Sequence, residues 1–331
     1  MSLSPLPMSL HLLADRKLSP GAALLAFDGE DQDAQLALVG HPDFAALSAG
    51  FPCFITAAQA DRLSAPLLQA LLDAGCQQLA DALLHQSSAL VKPVLPPGVL
   101  WLDGDWYLAP PGKPTGSQSA SRTLALKLVQ RVVADAETRE IEDIFRQDPT
   151  LSYHLLRLVN SLGMGANRRI TSFSQAILIL GRQQLRRWLN LMLFASRADD
   201  HRAAMLLSRV AVRARSMELL AREAGLDRSD QELAFMAGMF SLLGVLFGLP
   251  LPEVFKPLQI SEVLVAAVLH RHGPIGQLLQ TVEGVERGDA TGLQNLPGGL
   301  VLTPVQFSLL HLGAFQWMLG IVRETHGSAH A

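Results

Sequence analysis

The stretch from residue 141 to residue 188 constrains the fold most strongly, because its pattern predicts several short helices separated by turn residues. Asp148-Pro149 ends one helix and begins the next, since proline fits the first helical turn and disfavours a helical residue before it. Apolar residues then recur at helical spacing, at Leu151, Leu155, Leu156, Leu158 and Val159. This part of the chain is therefore expected to be a bundle of helices.

Turn residues separate the later helices of the same stretch. Gly163 and Gly165 end one helix, because glycine adopts the left-handed conformation that other residues avoid. A short apolar helix is predicted at residues 175–180, and a longer one at 182–196. The second of these places Leu185, Trp188, Leu189, Met192 and Leu193 on one side. Helices with one apolar side pack against one another rather than standing alone.

These blocks resemble the HDOD domain, a helical bacterial signalling domain related to the HD phosphohydrolases. The resemblance covers about the last two thirds of the chain and looks closest to the HDOD half of proteins that carry an EAL domain in front. It implies an all-α, HD-like fold and a role in regulatory circuits through binding other proteins. The matching pieces are residues 147–149, 155–161, 175–181, 184–188, 235–247 and 263–283.

The first 109 residues have a different pattern, in which short apolar runs alternate with turns. We predict a helix at Ala65–Asp73 and a second at residues 77–84. Asp103-Gly104 favours a type I′ hairpin turn between two runs that contain aromatic residues. The short apolar runs stand at residues 22–27, 36–39, 51–55, 98–102 and 106–108. Residues 1–109 are therefore predicted to be a small α/β or α+β domain.

A segment rich in proline, glycine and serine at residues 110–121 is predicted to be a linker, and the all-α HDOD domain is placed at 122–331. The position of residues 1–109 suggests a degenerate EAL-like module. No Glu-Ala-Leu motif is present, and about 110 residues cannot close a (β/α)₈ barrel, which needs about 250. Hydrolysis of cyclic di-GMP is therefore not expected.

The resemblance also locates where a catalytic metal would bind. Catalytic HD proteins carry an adjacent His-Asp pair, usually in a run resembling G-x-x-H-D-x-G. In the comparable run, residues 238–244, Ser241 and Leu242 stand in place of the pair. Leucine offers no lone pair, and a neutral serine is a poor ligand for a hard divalent ion. The upstream helix at residues 209–220 contains no histidine. We expect no metal, no cofactor and no enzymatic activity.

Other candidate metal ligands are given structural interpretations. His270 and His272 are two residues apart at a predicted helix end, so their side chains are expected to point apart. Cys53 and Cys76 have neither zinc-site nor disulfide-framework spacing and are expected to be reduced thiols. The acidic residues at 28–33 do not follow the pattern of a calcium loop and are interpreted as a solvated loop.

A set of basic residues is the strongest indication of a function other than folding. It consists of Arg168, Arg169, Arg182, Arg186 and Arg187. Arg182 and Arg186 are four residues apart and share a helix face. The set is either a solvated face or a surface that binds other signalling proteins. A net charge of −3 and the lack of interleaved basic and aromatic residues argue against nucleic-acid binding.

Residues 233–251 contain no charge and have the length of a membrane helix. Glycine, serine and proline interrupt the segment, and no aromatic or basic belt flanks it. A buried core helix is therefore favoured over membrane insertion. No basic region precedes an apolar run at the N-terminus, so a signal peptide is not predicted and a cytoplasmic location is expected.

The prediction from the sequence is thus a non-catalytic signalling protein that acts through protein–protein interaction. Two alternatives stay open. One is a metal-dependent HD-type phosphohydrolase. The other is a sensor that holds a cyclic dinucleotide between its two domains, for which the sequence supplies no motif.

Overall fold

The computed structural model describes residues 6–28, 31–87, 93–110, 200–258 and 260–326, together with Gln130 and Arg187. The linker from residue 111 onward, and the helices predicted between residues 122 and 196, lie outside the described residues. The described part of the chain thus consists mainly of the N-terminal module and the helices after residue 200.

A mixed six-stranded sheet forms the N-terminal module, with strand order β4-β3-β2-β1-β6-β5. β1 is antiparallel to both β2 and β6, and the remaining neighbours are parallel. The strands are β1 Ser9–Ala14, β2 Pro20–Ala26, β3 Cys53–Thr56, β4 Gln77–Leu79, β5 Leu84–Gln86 and β6 Trp101–Asp103. Sheet and helices together confirm the predicted α/β character of this module.

Four helices accompany the sheet: α1 Gln32–Val39, α2 Pro42–Gly50, α3 Ala57–Ala60 and α4 Ala65–Asp73. α4 has the predicted bounds, with Gly75 beyond its end at φ +87°. The acidic stretch supplies the N-cap of α1, where Asp31 accepts a hydrogen bond of 3.0 Å from the backbone N–H of Ala34. This capping satisfies a helix-start donor that would otherwise lack a partner.

Two predictions for this module were wrong. Residues 77–84 are not a helix, because β4 and a 3₁₀ turn, Asp81–Leu83, occupy them before β5 begins. Asp103-Gly104 is not a hairpin turn, since β6 pairs with β1 and β5 and the chain continues into a 3₁₀ helix, Trp106–Leu108. In both places the pairing comes from strands distant in the chain, which overrides the local preference.

Seven helices are described after residue 200. The first of them, Ala203–Glu223, packs against three of the others, which begin at Arg228, Gly273 and Pro304. The helices are α5 Ala203–Glu223, α6 Arg228–Phe240, α7 Leu243–Phe247, α8 Leu251–Phe255, α9 Glu262–His270, α10 Gly273–Glu286 and α11 Pro304–His326. Ser261 caps α9 by accepting a hydrogen bond from the Leu264 backbone N–H. Asp227 is the N-cap of α6 and accepts a hydrogen bond from the Asp230 backbone N–H.

The uncharged segment is divided between two helices. α6 ends at Phe240, Ser241 and Leu242 form a turn, and α7 ends at Gly248 in the left-handed conformation. Within the described ranges, Arg228–Phe247 is the one stretch long and apolar enough to cross a membrane by composition, and 61% of it is buried inside the fold. This burial supports the predicted core role.

The main hydrophobic cluster contains residues from both parts of the described chain. It includes Leu25 and Phe44 of the N-terminal module together with Phe235, Phe307 and Phe315 of the later helices. A buried hydrogen bond of 3.0 Å from Ser308 Oγ to the Met8 carbonyl crosses the same boundary. A second, smaller cluster lies on the sheet, formed by Leu13, Ala22, Leu24 and Leu79. The division into domains at residues 110–121 stays a prediction.

Candidate functional site

The turn that contains Ser241 and Leu242 lies against an arginine of α5. Arg213 Nη1 donates a 2.8 Å hydrogen bond to Ser241 Oγ, and Ser241 Oγ in turn donates one of 2.7 Å to the Gly238 carbonyl. Leu242 is buried, with 4% of its surface exposed. The turn therefore presents one hydroxyl, already engaged by a cation, and one apolar side chain.

Close packing of α6 on α5 fixes this geometry. A Cβ added at Gly238 would lie 2.7 Å from the Ala214 Cα. Only glycine allows the two backbones to approach so closely. The approach places Ser241, one turn after Gly238, within reach of Arg213.

Two glutamates of α10 complete the arrangement, which we call the arginine–glutamate network: Arg209, Arg213, Arg271, Glu283 and Glu286. Arg213 binds the Glu286 carboxylate through Nε at 3.0 Å and Nη2 at 2.5 Å. Arg209 Nη2 lies 3.2 Å from Glu286 Oε2. Arg271 holds Glu283 through two contacts of 2.9 Å and 2.8 Å. Such two-point pairing is the strong form of the arginine–carboxylate contact.

Burial and neighbouring charge set the ionisation of the network. Burial raises the pKa of the Glu286 carboxyl, but the Arg213 and Arg209 guanidiniums outweigh it and hold that pKa below its usual value. Burial lowers the pKa of Arg209, yet Tyr107, Glu286 and Asp105 more than offset it, and the pKa is raised. Both groups are therefore charged at neutral pH, as a buried ion pair requires.

This donor set is poorly suited to a divalent cation. The two carboxylates, Glu283 and Glu286, already accept hydrogen bonds from guanidiniums. Across the residues that the structure describes, no group of three or more His, Cys, Asp or Glu side chains could hold a metal ion. Hard divalent cations bind oxygen atoms that are free to coordinate them. The guanidiniums occupy these carboxylate oxygens and add positive charge that repels a cation.

A buried histidine borders the network from α11. The His311 ring stacks on Phe307 with centroids 6.0 Å apart, and its Nδ1 finds no hydrogen-bond partner among the residues described. Burial and the nearby Arg209 charge lower the pKa of His311 to about 4, against a smaller opposing effect of Glu286. His311 is therefore a neutral imidazole at physiological pH.

Arg187 is the one member of the predicted basic set that the structure describes. Its guanidinium contacts Glu218 at 2.9 Å, binds Glu232 through Nε at 2.5 Å and lies 4.5 Å over the Phe235 ring. Its side chain is 11% exposed. The guanidinium of Arg187 is therefore engaged by side chains of the same chain. Arg168, Arg169, Arg182 and Arg186 lie outside the described residues, and the surface they form stays a prediction.

His270 and His272 lie closer together than helical spacing predicts. Arg271 between them adopts a left-handed conformation at φ 57°, which ends α9 and turns the chain into α10. The two ring centroids are 5.7 Å apart. The expectation that the side chains point apart was wrong because it assumed a continuous helix.

The network was not predicted from the sequence. Glu283 and Glu286 are three residues apart on α10, but Arg213 is 73 residues from Glu286 in the chain. No local pattern connects positions at that separation. The available signal was an arginine on the buried side of the amphipathic helix α5, because a buried charge needs a partner.

Residues 122–275 match the HDOD domain family. The chain is 30% identical over 208 residues to the cyclic di-GMP phosphodiesterase CdgJ of Vibrio cholerae, an alignment that covers 62% of this chain and 47% of the relative. The chain thus spans less than half of that relative's length.

Two solved structures are also similar. A Shewanella amazonensis protein assigned as a phosphohydrolase is 14% identical, with 61% of this chain and 93% of the other covered at a TM-score of 0.42. An HDOD domain protein of unknown function from Geobacter sulfurreducens is 17% identical, with 66% and 84% covered at a TM-score of 0.36.

Proposed function

The chain contains an HDOD domain at residues 122–275, and we propose that it is a non-catalytic bacterial signalling protein whose HDOD domain acts by binding other proteins. We place it in the cytoplasm. Its partners are other signalling proteins, recognised by a surface that includes Arg182 and Arg186.

One observation supports the non-catalytic part of the proposal. Arg213 hydrogen-bonds Ser241, the residue that stands where the resemblance to HD phosphohydrolases places a metal-binding histidine. A guanidinium and a metal ion compete for the same carboxylates, and Arg213 already holds Glu286. Without a metal the chain lacks both the activated water and the Lewis acid that phosphate hydrolysis needs.

A second candidate function is cyclic di-GMP hydrolysis, favoured by the name of the Vibrio cholerae relative. The described N-terminal module argues against it. Its sheet has six strands, whereas a (β/α)₈ barrel needs eight, and the sequence contains no Glu-Ala-Leu motif. We therefore propose that this chain does not share that activity.

Turnover assays test the choice between these candidates. The full chain would be incubated with cyclic di-GMP and with bis(p-nitrophenyl) phosphate, in separate reactions containing Mg²⁺ or Mn²⁺. The proposal predicts no product above the metal-only control. Hydrolysis by the wild type that disappears in a Ser241→Ala variant with an unchanged melting temperature would establish a catalytic site and end the proposal.

A thermal-shift measurement tests the sensor alternative. A ligand at 100 times its dissociation constant stabilises the folded state by about 2.7 kcal/mol. The proposal predicts no shift of the melting temperature with cyclic di-GMP. A saturable rise would show that the chain senses a cyclic dinucleotide.

A further inference from the structure

The two cysteines of the chain are neighbours across the N-terminal sheet. Phe54 of β3 is the register partner of Gln77 of β4, and these two strands are parallel. Cys53 and Cys76 each stand one residue earlier and are therefore neighbours too. Adjacent strands lie about 4.8 Å apart, and a disulfide bond requires Cα atoms about 4.4–6.8 Å apart.

Both thiols are on the same face of the sheet. Side chains alternate along β3, so Cys53 and Ile55 belong to the main hydrophobic cluster while Phe54 packs on the smaller one. Cys76 belongs to the main cluster as well. Cys53 is 2% exposed and Cys76 is 3% exposed. Both thiols are thus buried on the same side of the sheet, where bulky reagents do not reach them.

The two thiols are chemically unequal. The Cys53 thiol donates a hydrogen bond of 3.3 Å to the Phe51 carbonyl. Interaction with Cys76 and burial raise the pKa of Cys53, and interaction with Cys53 lowers the pKa of Cys76 against the opposing effect of burial. Cys53 therefore keeps its proton, and Cys76 is the better nucleophile, since the thiolate is the reactive form of cysteine.

We propose that Cys53 and Cys76 form an intramolecular disulfide when the protein meets hydrogen peroxide. The Cys76 thiolate attacks one peroxide oxygen and breaks the O–O bond, which gives a sulfenic acid and a hydroxide that is protonated to water. The Cys53 sulfur then attacks the Cys76 sulfur, loses its proton and expels the hydroxyl as a second water. Two thiols lose two electrons in total, and one peroxide becomes two waters.

The disulfide would link the edge strand β4 covalently to β3. β4 is an outermost strand, held to β3 by register pairs at residues 54–56 and 77–79. The disulfide closes the segment between residues 53 and 76, which contains α3 and α4. Closing such a loop restricts the unfolded chain and stabilises the folded one. The oxidised protein should therefore melt at a temperature several degrees higher than the reduced protein.

Intact mass after peroxide treatment tests the proposal. Folded full-length protein is treated with hydrogen peroxide, quenched with catalase, denatured, and exposed to N-ethylmaleimide. The proposal predicts a monomer that has lost two hydrogen atoms and takes up no maleimide, whereas untreated protein takes up two. Two maleimide additions after treatment, oxygen addition without hydrogen loss, or a disulfide between two chains would each overturn it.

Two comparisons sharpen the result. Oxidised glutathione, which is too large to reach the buried thiols, should leave both cysteines free in the folded protein. The Cys53→Ser variant should be trapped as a sulfenic acid at Cys76, while the Cys76→Ser variant should keep the Cys53 thiol reduced over the same time. Equal reaction of the two single variants would contradict the assigned order of attack. The wild-type mass measurement decides the main claim even if neither variant folds.

Discussion

Arg213 donates a 2.8 Å hydrogen bond to Ser241, which lies 28 residues later in the chain. The resemblance to catalytic HD proteins predicts that Ser241 stands in place of a metal-binding histidine. The same guanidinium binds Glu286, whose side chain is 8% exposed. A positive charge therefore contacts both Glu286 and the residue at which the resemblance predicts a lost metal ligand.

Replacing Arg213 should be costly. Arg213→Met leaves the buried Glu286 with Arg209 as its main partner and removes the donor to Ser241. Breaking a buried ion pair on one side costs about 3–5 kcal/mol. We expect a loss of about 3 kcal/mol in the free energy of unfolding, measured by urea denaturation. Arg222→Met, on the same helix with a side chain 56% exposed, should change it by less than about 0.5 kcal/mol. Similar losses in the two variants would contradict the assigned role.

Gly238 should not tolerate a methyl group. Gly238→Ala places a Cβ 2.7 Å from the Ala214 backbone and pushes α6 away from α5. Overpacking of this kind costs about 1–3 kcal/mol. Gly313→Ala is the matched control, since its Cβ meets nothing within 4 Å in α11, and alanine favours a helix by about 1 kcal/mol over glycine. Thermal melts should move in opposite directions, and a fall of equal size in both would refute the close packing of α6 on α5.

Arg187 should have a structural role, whereas Arg182 and Arg186 should have a role in binding. Arg187→Glu faces Glu218 and Glu232 with a like charge and should destabilise the fold by more than about 2 kcal/mol. Arg182→Glu with Arg186→Glu should leave the free energy of unfolding within about 0.5 kcal/mol and weaken capture of the signalling partner.

The control for that capture measurement is Arg222→Glu with Arg287→Glu, which makes the same charge change at exposed positions. Capture that falls equally in the control would assign the loss to net charge. Capture that is unchanged in the Arg182 and Arg186 variant would remove this surface from the proposed function.

Stability should fall as the pH drops below neutrality because of His311. Its pKa is about 4 in the folded protein, against an ordinary value of 6.5. Between these values the unfolded chain binds more protons, so the free energy of unfolding decreases with decreasing pH. We expect His311 to contribute a loss of about 2 kcal/mol between pH 8 and pH 5. The depressed pKa of Glu286 adds a further loss only below its ordinary value of 4.5.

Comparison with His311→Phe isolates this effect. The variant should unfold with a shallower dependence on pH between 8 and 5, because a phenyl ring fills the space between Phe307 and Phe315 without titrating. Identical pH dependence in the two proteins would show that His311 is not the titrating group.

The sequence predicted elements whose signals are local. Ala65–Asp73 begins with proline at its second position and is followed closely by glycine, so this helix was found at its bounds. Residues 77–84 were predicted to be a helix and instead form β4, a turn and the start of β5. Each of these strands has three residues, too few to show alternation, and the neighbouring strands determine their conformation.

The candidate site shows the same limit. Ser241 and Leu242 were predicted from motif spacing to stand in place of the His-Asp pair, because the two positions of that pair are adjacent in the chain. The pairing of Arg213 with Glu286 was not found, because it depends on how α5 and α10 pack. Charged residues in apolar helices indicate that a partner exists, but their position in the chain does not say which one.

Metal content is the decisive measurement for a chain proposed to hold no catalytic metal. Purified full-length protein would be incubated in turn with Mn²⁺, Fe²⁺ and Zn²⁺, passed through a desalting column, and assayed for metal per chain by mass spectrometry. We expect well below one equivalent of each metal, and no difference between the wild type and a Ser241→Ala, Glu286→Gln variant. One tightly bound equivalent in the wild type that is lost in this variant would contradict the non-catalytic function.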